Sequence, residues 1–142
     1  MQRNNPKAVG ERSEVMVLAA LLRQRHVVLQ PFGDNQRYDL VVDLDGVFVR
    51  VQCKTARLVN GALTFATCSS QAHRQRGHQT YRGEAEYFGV YSPDLDRVFM
   101  VPVEGTGERS SWLRLEAPRN GQQAKVRYAD QFAVESWEHT PR

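Results

Sequence analysis

From Gly46 through Gly83 the chain contains no Asp or Glu at all. Over its 142 residues, 16 acids nearly balance 19 Lys and Arg, so the net charge is only +3. The acid-free window nevertheless holds Arg50, Lys54, Arg57, Arg74, Arg76 and Arg82, with His73 and His78 beside them. Local excess of one sign says more about partners than net charge does, and this one favours a polyanion. The alternative is a chance cluster of solvated arginines. Cysteine is scarce too: Cys53 and Cys68 make neither a disulfide framework nor a zinc-type spacing. No apolar run approaches a membrane span, and MQRNNPKAVGERSE lacks a signal peptide's apolar segment. Repeats and low-complexity tracts are absent as well. A single domain over residues 1–142 is expected, and 41% hydrophobic with 25% charged residues suits a globular core.

Asn5-Pro6 reads as a helix start, Asn5 capping and Pro6 at the first helical position, with the helix running to about Arg25. At steps of about 100°, Val15, Val17, Leu18, Leu21 and Leu22 share one broad arc, and Glu14 falls within it. A carboxylate among core leucines is costly unless something pairs with it; an exposed margin of the stripe is the other possibility. HVVLQPF (26–32) reads as a first strand. Asp45-Gly46 and Asn60-Gly61 each sit between apolar runs and signal two-residue hairpins. Residues 69–83 lack periodicity and read as a basic surface loop. EYFGVYS and RVFMVPV form a further strand pair, WLRLE a short strand and YADQFAVESW a short helix. The expected class is mixed α/β, an α+β arrangement of hairpin-linked strands flanked by helices. Trp112 and Trp137 are expected in the core or an interface rather than as stacking platforms.

VFVRVQCKTAR, residues 47–57, carries the chemistry. A two-residue turn at Asp45-Gly46 pairs Leu44 with Val47 and sets Asp39 across from Gln52, with Lys54 a diagonal neighbour. One face then carries Asp39, Val41, Asp43, Phe48, Arg50, Gln52 and Lys54. The other carries Leu40, Val42, Leu44, Val47, Val49, Val51 and Cys53, without one charged residue, and a one-residue slip would bury the charged set. Asp39 offers a carboxylate, Gln52 an amide oxygen and Cys53 a backbone carbonyl, the hard oxygen donors that Mg²⁺ takes. Lys54 supplies a positive charge beside a reacting phosphate. Glu14 completes the set if the first helix packs over this polar face. A solvated polar face is the competing reading.

GERSE on the first helix, YDLVVD opening the hairpin and VQCKT on the next strand resemble the PD-(D/E)XK nuclease superfamily. More narrowly, PFGDN-x-x-YDLVVD, VQCKTARL-x-NG and YRGE-x-x-YF-x-VY resemble the endonucleases of that class encoded by group I introns, over Gly10 to Phe132. The resemblance implies a restriction-endonuclease-like core and a homing-type enzyme that cuts double-stranded DNA with Mg²⁺ or Mn²⁺. It also implies a homo-oligomer, dimer or tetramer. Glu14, Asp39, Gln52 and Lys54 match the family's active-site positions, the metal resting on Asp39, Gln52, Glu14 and the Cys53 carbonyl. Tyr38 stands where the superfamily has proline, and Gln52 replaces its second acid, as in the intron-encoded branch. A junction resolvase, a repair nuclease or an inert DNA-binding module remain open. DNA contacts are expected from Arg50, Arg57, Arg74, Arg76 and Arg82, with Gln71, Gln75 and Gln79 as base readers. Glu84 and Glu86 read as a surface pair rather than ligands, and Glu11 lies near Glu14 on the helix. The setting is expected to be cytoplasmic, of bacterial, archaeal or phage type.

Overall fold

The Asn5 side chain accepts a hydrogen bond of 3.0 Å from the Lys7 amide and, with Pro6 following, starts helix α1, Pro6–Arg23. This is a computed structural model, which describes residues 5–70, 78–117, 120–121 and 126–139. The helix stops two residues before Arg25, whose φ of 66° turns the chain. Ten strands follow among the described residues: β1 (Val27–Leu29), β2 (Leu40–Leu44), β3 (Val47–Thr55), β4 (Arg57–Val59), β5 (Ala62–Ala66), β6 (Cys68–Ser70), β7 (His78–Thr80), β8 (Tyr87–Ser92), β9 (Arg97–Pro102) and β10 (Ser110–Arg114). Both Asx-Gly pairs turn with positive φ at each central residue, 54° and 94° at Asp45-Gly46, 49° and 76° at Asn60-Gly61. That is the backbone a two-residue hairpin needs to match strand twist. The first pairs Leu44 with Val47 and Leu40 with Val51, the expected register.

The main sheet is mixed, ordered β1-β2-β3-β8-β9, with β3 and β8 parallel. On one face α1 buries Val17 and Leu21 against Leu40, Val42, Val49 and Val51. On the other, Phe88, Val90, Phe99 and Val101 pack with Leu63, Phe65 and Leu113 of a three-stranded sheet, β10-β5-β4. β3 feeds this second sheet directly: after buried Ala56, whose amide donates to the Tyr91 carbonyl at 2.8 Å, the chain continues as β4. Arg57 therefore lies in a different sheet from Lys54, not on a continuation of the same strand pairing. The approach of α1 to β8 is close at Gly89, where a Cβ would stand 2.6 Å from a Val17 methyl and 3.0 Å from one on Val51.

Several expectations change. α1 covers the apolar face of the hairpin, not the polar one, because Leu40, Val42, Val49 and Val51 form the only continuous apolar stripe on that hairpin that can take its leucines. Its buried stripe is Ser13, Val17 and Leu21; Val15 and Leu22, well over ~100° round the helix from Val17, are 60% and 53% exposed. Residues 69–83 are not all loop, since β6 and β7 pair as Cys68–Thr80, Ser69–Gln79 and Ser70–His78. Residues 71–77, with His73, Arg74 and Arg76, lie outside the described residues. The C-terminal helix is instead two 3-10 turns, Ala129–Phe132 and Val134–Ser136, because extended Ala133 bridges to Phe99 between them. Trp112 is 48% exposed, which removes the core and leaves the interface of the two places expected for it. No described helix is long and apolar enough to cross a membrane.

Candidate active site

The β2–β3 ladder stops at Leu40–Val51, one residue short of Asp39. Asp39 still donates its amide to the Val51 carbonyl at 2.8 Å, and its carboxylate accepts the Cys53 amide at 2.9 Å. The amide bond to Val51 departs from the ladder's register, so Asp39 is held at the ladder's end by Val51 and Cys53 and not by a pairing with Gln52. The carboxylate occupies the place where a longer β2 would have offered a carbonyl to Cys53. Burial pushes the Asp39 carboxyl up from its usual range, while the Cys53 amide and the Lys54 ammonium pull it back down without cancelling the rise.

Glu14 approaches from the other side of the sheet. Ser13, buried on α1, hydrogen-bonds Thr55 at the end of β3, and this pins the helical turn that carries Glu14 beside the ladder's end. Burial raises the Glu14 carboxyl, and the charges of Asp39 and Glu11 raise it further. The Cys53 thiol is pushed well above its ordinary value by burial and by the charges of Asp39 and Glu14, so it stays protonated. That leaves the Cys53 backbone, not its sulfur, available to the site.

Gln52 and Lys54 alternate onto the opposite face. The Gln52 amide nitrogen is 3.5 Å from the Cys53 carbonyl, at the outer limit of a hydrogen bond. Lys54 Nζ lies 3.4 Å from the Cys68 carbonyl and 3.5 Å from the Tyr81 hydroxyl. Burial lowers its pKa, offset in part by Cys68 and Asp39, with Arg37 lowering it further. Glu14 and Asp39, and Asp39 and Lys54, are thus near enough for their charges to interact, while the contact found for Gln52 is to the Cys53 carbonyl.

Among the described residues no three His, Cys, Asp or Glu side chains converge as a metal cluster. With Gln52 in the place of an acid, the donor set is two carboxylates, one amide oxygen and one carbonyl. All are hard oxygens, which fits Mg²⁺. Two carboxyls held above their usual range, one by the other's charge, are the electrostatic setting that a divalent cation relieves. A hollow of about 1000 Å³ is lined by Tyr87, Met100, Phe132, Trp137 and His139 among others and includes none of the four.

The basic residues divide. Arg50 is committed to Glu86 through Nε at 3.1 Å and a short contact from Nη2, and also reaches the Gly83 carbonyl at 3.2 Å. Arg57 is exposed on β4, and Arg82 is exposed with one contact of 3.4 Å to the Thr106 carbonyl. Glu84 accepts from Arg37 at 3.2 Å, so both Glu84 and Glu86 are engaged by arginines. Arg37 and Tyr81 were not singled out in the sequence. Tyr81 lies within the YRGE motif, and Arg37 sits two residues before Asp39 in a loop whose polarity gave no sign of burial.

A family model for PD-(D/E)XK endonucleases matches residues 4–135. Among solved structures the chain is similar to the bacterial homing endonuclease I-Ssp6803I, with a TM-score of 0.67 and 20% identity over 94% of this chain and 88% of that one. It also matches a Holliday junction resolvase, Hjc, from the archaeal hyperthermophile Archaeoglobus fulgidus, with a TM-score of 0.45 and 18% identity over 74% of this chain and 83% of that one. No curated protein sequence matches significantly. With the family model spanning nearly the whole chain, and a helix-backed mixed sheet of restriction-endonuclease type, this chain belongs to the PD-(D/E)XK endonuclease family.

Proposed function

We propose that the chain, as one domain, is a divalent-metal-dependent endonuclease that hydrolyses phosphodiester bonds in double-stranded DNA, in the manner of a homing enzyme. The observation that carries this reading is the charge coupling of Glu14, Asp39 and Lys54 at one end of the β2–β3 hairpin, from residues 40 positions apart in sequence, with Gln52 two residues from Lys54 on β3. Asp39 and Glu14 would hold the cation, with the Gln52 amide oxygen and the Cys53 carbonyl completing the protein's share. When bound, Mg²⁺ or Mn²⁺ supplies Lewis-acid charge and a nucleophile at neutral pH. Lys54 places its ammonium where charge develops on the phosphate, in a partly water-excluded site where such a charge counts for more than in water. The Cys53 amide keeps the Asp39 carboxylate aimed, so the ligand needs no reorganisation as substrate arrives.

Arg57 and Arg82, with Arg74 and Arg76 from outside the described residues, are proposed to grip backbone phosphates. Arg50 enters that set only by leaving Glu86. Assembly into a homo-oligomer is also part of the reading. Val27, 59% exposed, pairs with Asp43, which pairs with Phe48, also 59% exposed. Two apolar side chains, with Asp43 between them, are thus left uncovered on the outer half of the face that bears Gln52 and Lys54.

Incubation with supercoiled plasmid and with a long linear duplex library, in Mg²⁺ and in EDTA, tests this reading. Cleavage in Mg²⁺ alone is expected. DNA binding without cleavage under both conditions would make the chain an inert binding module, and preferential cutting of a four-way junction over linear duplex would make it a resolvase.

A further inference from the structure

Lys54 is the cation among the four residues of the proposed site, and what holds its flexible stem decides where the charge stands. Its Nζ lies 4.7 Å from the centre of the Tyr81 ring as well as 3.5 Å from the Tyr81 hydroxyl and 3.4 Å from the Cys68 carbonyl. Both polar contacts are long for hydrogen bonds. They guide the ammonium without saturating it, since an ammonium has three N–H donors. The ring is the firmer element. Tyr81 is 5% exposed and meets Phe88 edge-on at 5.7 Å between ring centres. A second cation rests on the same ring: the Arg37 guanidinium carbon is 4.0 Å from its centre. Arg37 is in turn fixed by Glu84 at 3.2 Å, by the Thr80 carbonyl at 2.6 Å and by the Ser69 hydroxyl. The ring is therefore immobilised by the core beneath it and by an arginine anchored to β6, β7 and the turn after β7.

We propose that Tyr81 is the positioning residue for Lys54: its ring, locked by Phe88 and Arg37, is the wall against which the ammonium is set beside Asp39. This rests on the endonuclease reading for its consequence in catalysis, but the placement itself is a property of the free protein. Lys54 is a mobile four-carbon arm that would lose much of its rotamer freedom in a productive geometry. An aromatic face that attracts the cation restricts it before DNA arrives, and that restriction is what a catalytic charge requires. The two polar contacts leave a donor for the phosphate, so the same arrangement holds the lysine and keeps it usable.

The chain has three lysines, Lys7, Lys54 and Lys125, so reductive methylation with ¹³C-formaldehyde gives a sparse NMR spectrum in which each dimethylammonium keeps its charge. Lys54→Arg identifies the Lys54 signal by its loss. That signal is expected upfield of the other two through the Tyr81 ring current. It should remain so in Tyr81→Phe and move to the unshifted position in Tyr81→Leu. In single-turnover cleavage, Tyr81→Phe is expected to slow the reaction no more than a few-fold. Tyr81→Leu should slow it about tenfold, the rate equivalent of a partly desolvated cation–π contact, with DNA affinity unchanged in both. An unshifted Lys54 signal in the unsubstituted protein overturns the proposal. So does a Tyr81→Leu protein that loses affinity and rate in equal measure. If the unsubstituted chain cuts no DNA, the endonuclease reading fails while the methyl shift still decides the positioning.

Discussion

The Asp39 carboxylate accepts the backbone amide of Cys53 at 2.9 Å, so the main-chain conformation of β3 aims the side chain that opens β2. The acid is held by a bond that no substitution at position 53 other than proline removes. Asp39→Asn keeps the shape and an oxygen for that bond but loses the charge that attracts a cation. Plasmid nicking should fall by at least two orders of magnitude across a Mg²⁺ titration, with the melting temperature little changed. An unaltered Mg²⁺ dependence would remove Asp39 from the ligand set.

Lys54→Ala separates binding from chemistry. Loss of one charge-stabilising donor at a transition state costs about 10²–10³ in rate, while phosphate gripping rests on the arginines. DNA affinity by fluorescence anisotropy should change little and cleavage should fall by that factor; full nicking activity would contradict the role.

Gln52→Glu bears on the departure from the superfamily pattern. The Gln52 amide faces the Cys53 carbonyl at 3.5 Å through its NH₂ group, and a carboxylate there would meet that oxygen unfavourably without a cation. The variant is expected to melt lower in EDTA, to gain more in melting temperature from Mg²⁺ and to reach half-maximal binding at lower Mg²⁺. Calorimetric titration together with thermal melts reads both parts; equal Mg²⁺ response in the two proteins would separate Gln52 from the cation.

Much of this site was readable from the sequence because β-strands impose a strict period. The Asp-Gly turn fixed the pairing at Leu44–Val47, and from there the ladder as far as Leu40–Val51 followed by counting, while Asp39 lies one residue beyond it. The helix was harder. The apolar residues of α1 spread over a wide arc, and only the tight approach at Gly89 selects Ser13, Val17 and Leu21 as the buried line. Which hairpin face the helix covers was legible in the apolar stripe itself, yet Glu14's expected role drew the helix to the polar side. In the structure Glu14 reaches Asp39 past the end of the ladder instead. Arg37 and Tyr81 escaped notice because their role depends on β6, β7 and the loop before β2 meeting, contacts that no local period encodes.

Gly89→Ala tests the helix placement. The added methyl would stand 2.6 Å from Val17, and neither partner sits on a flexible side-chain end. Overpacking of this kind costs about 1–3 kcal/mol, seen in urea melts. Shifting α1 also shifts Glu14, so cleavage should weaken beyond what stability alone explains. Combined with Val17→Ala, the loss should be smaller than the sum of the two single losses; strict additivity would count against a direct contact.

Acid stability should carry the signature of the Arg50–Glu86 pair. Burial pushes the Glu86 carboxyl up, but hydrogen bonds from the Arg50 side chain and amide outweigh it and hold the pKa below the ordinary 4.5. A carboxyl depressed in the folded state stabilises the protein above its unfolded pKa, and that contribution fades as pH falls through the folded value. The difference in melting temperature between the parent protein and Glu86→Gln should therefore be constant above pH 4.5 and shrink below it. A difference that does not change with pH would mean the pair is electrostatically silent.

The passage of β3 through Ala56 into β4 has a metrical consequence. Lys54 and Arg57 are three residues apart on one extended stretch of chain, so their Cα atoms are separated by no more than roughly 11 Å. A phosphate held by Arg57 and a phosphate reached by Lys54 would be spaced by covalent bonds rather than by loop packing. The offset between the point of grip and the point of scission would then be a constant of the chain, unaltered by how its surface loops settle on different DNA.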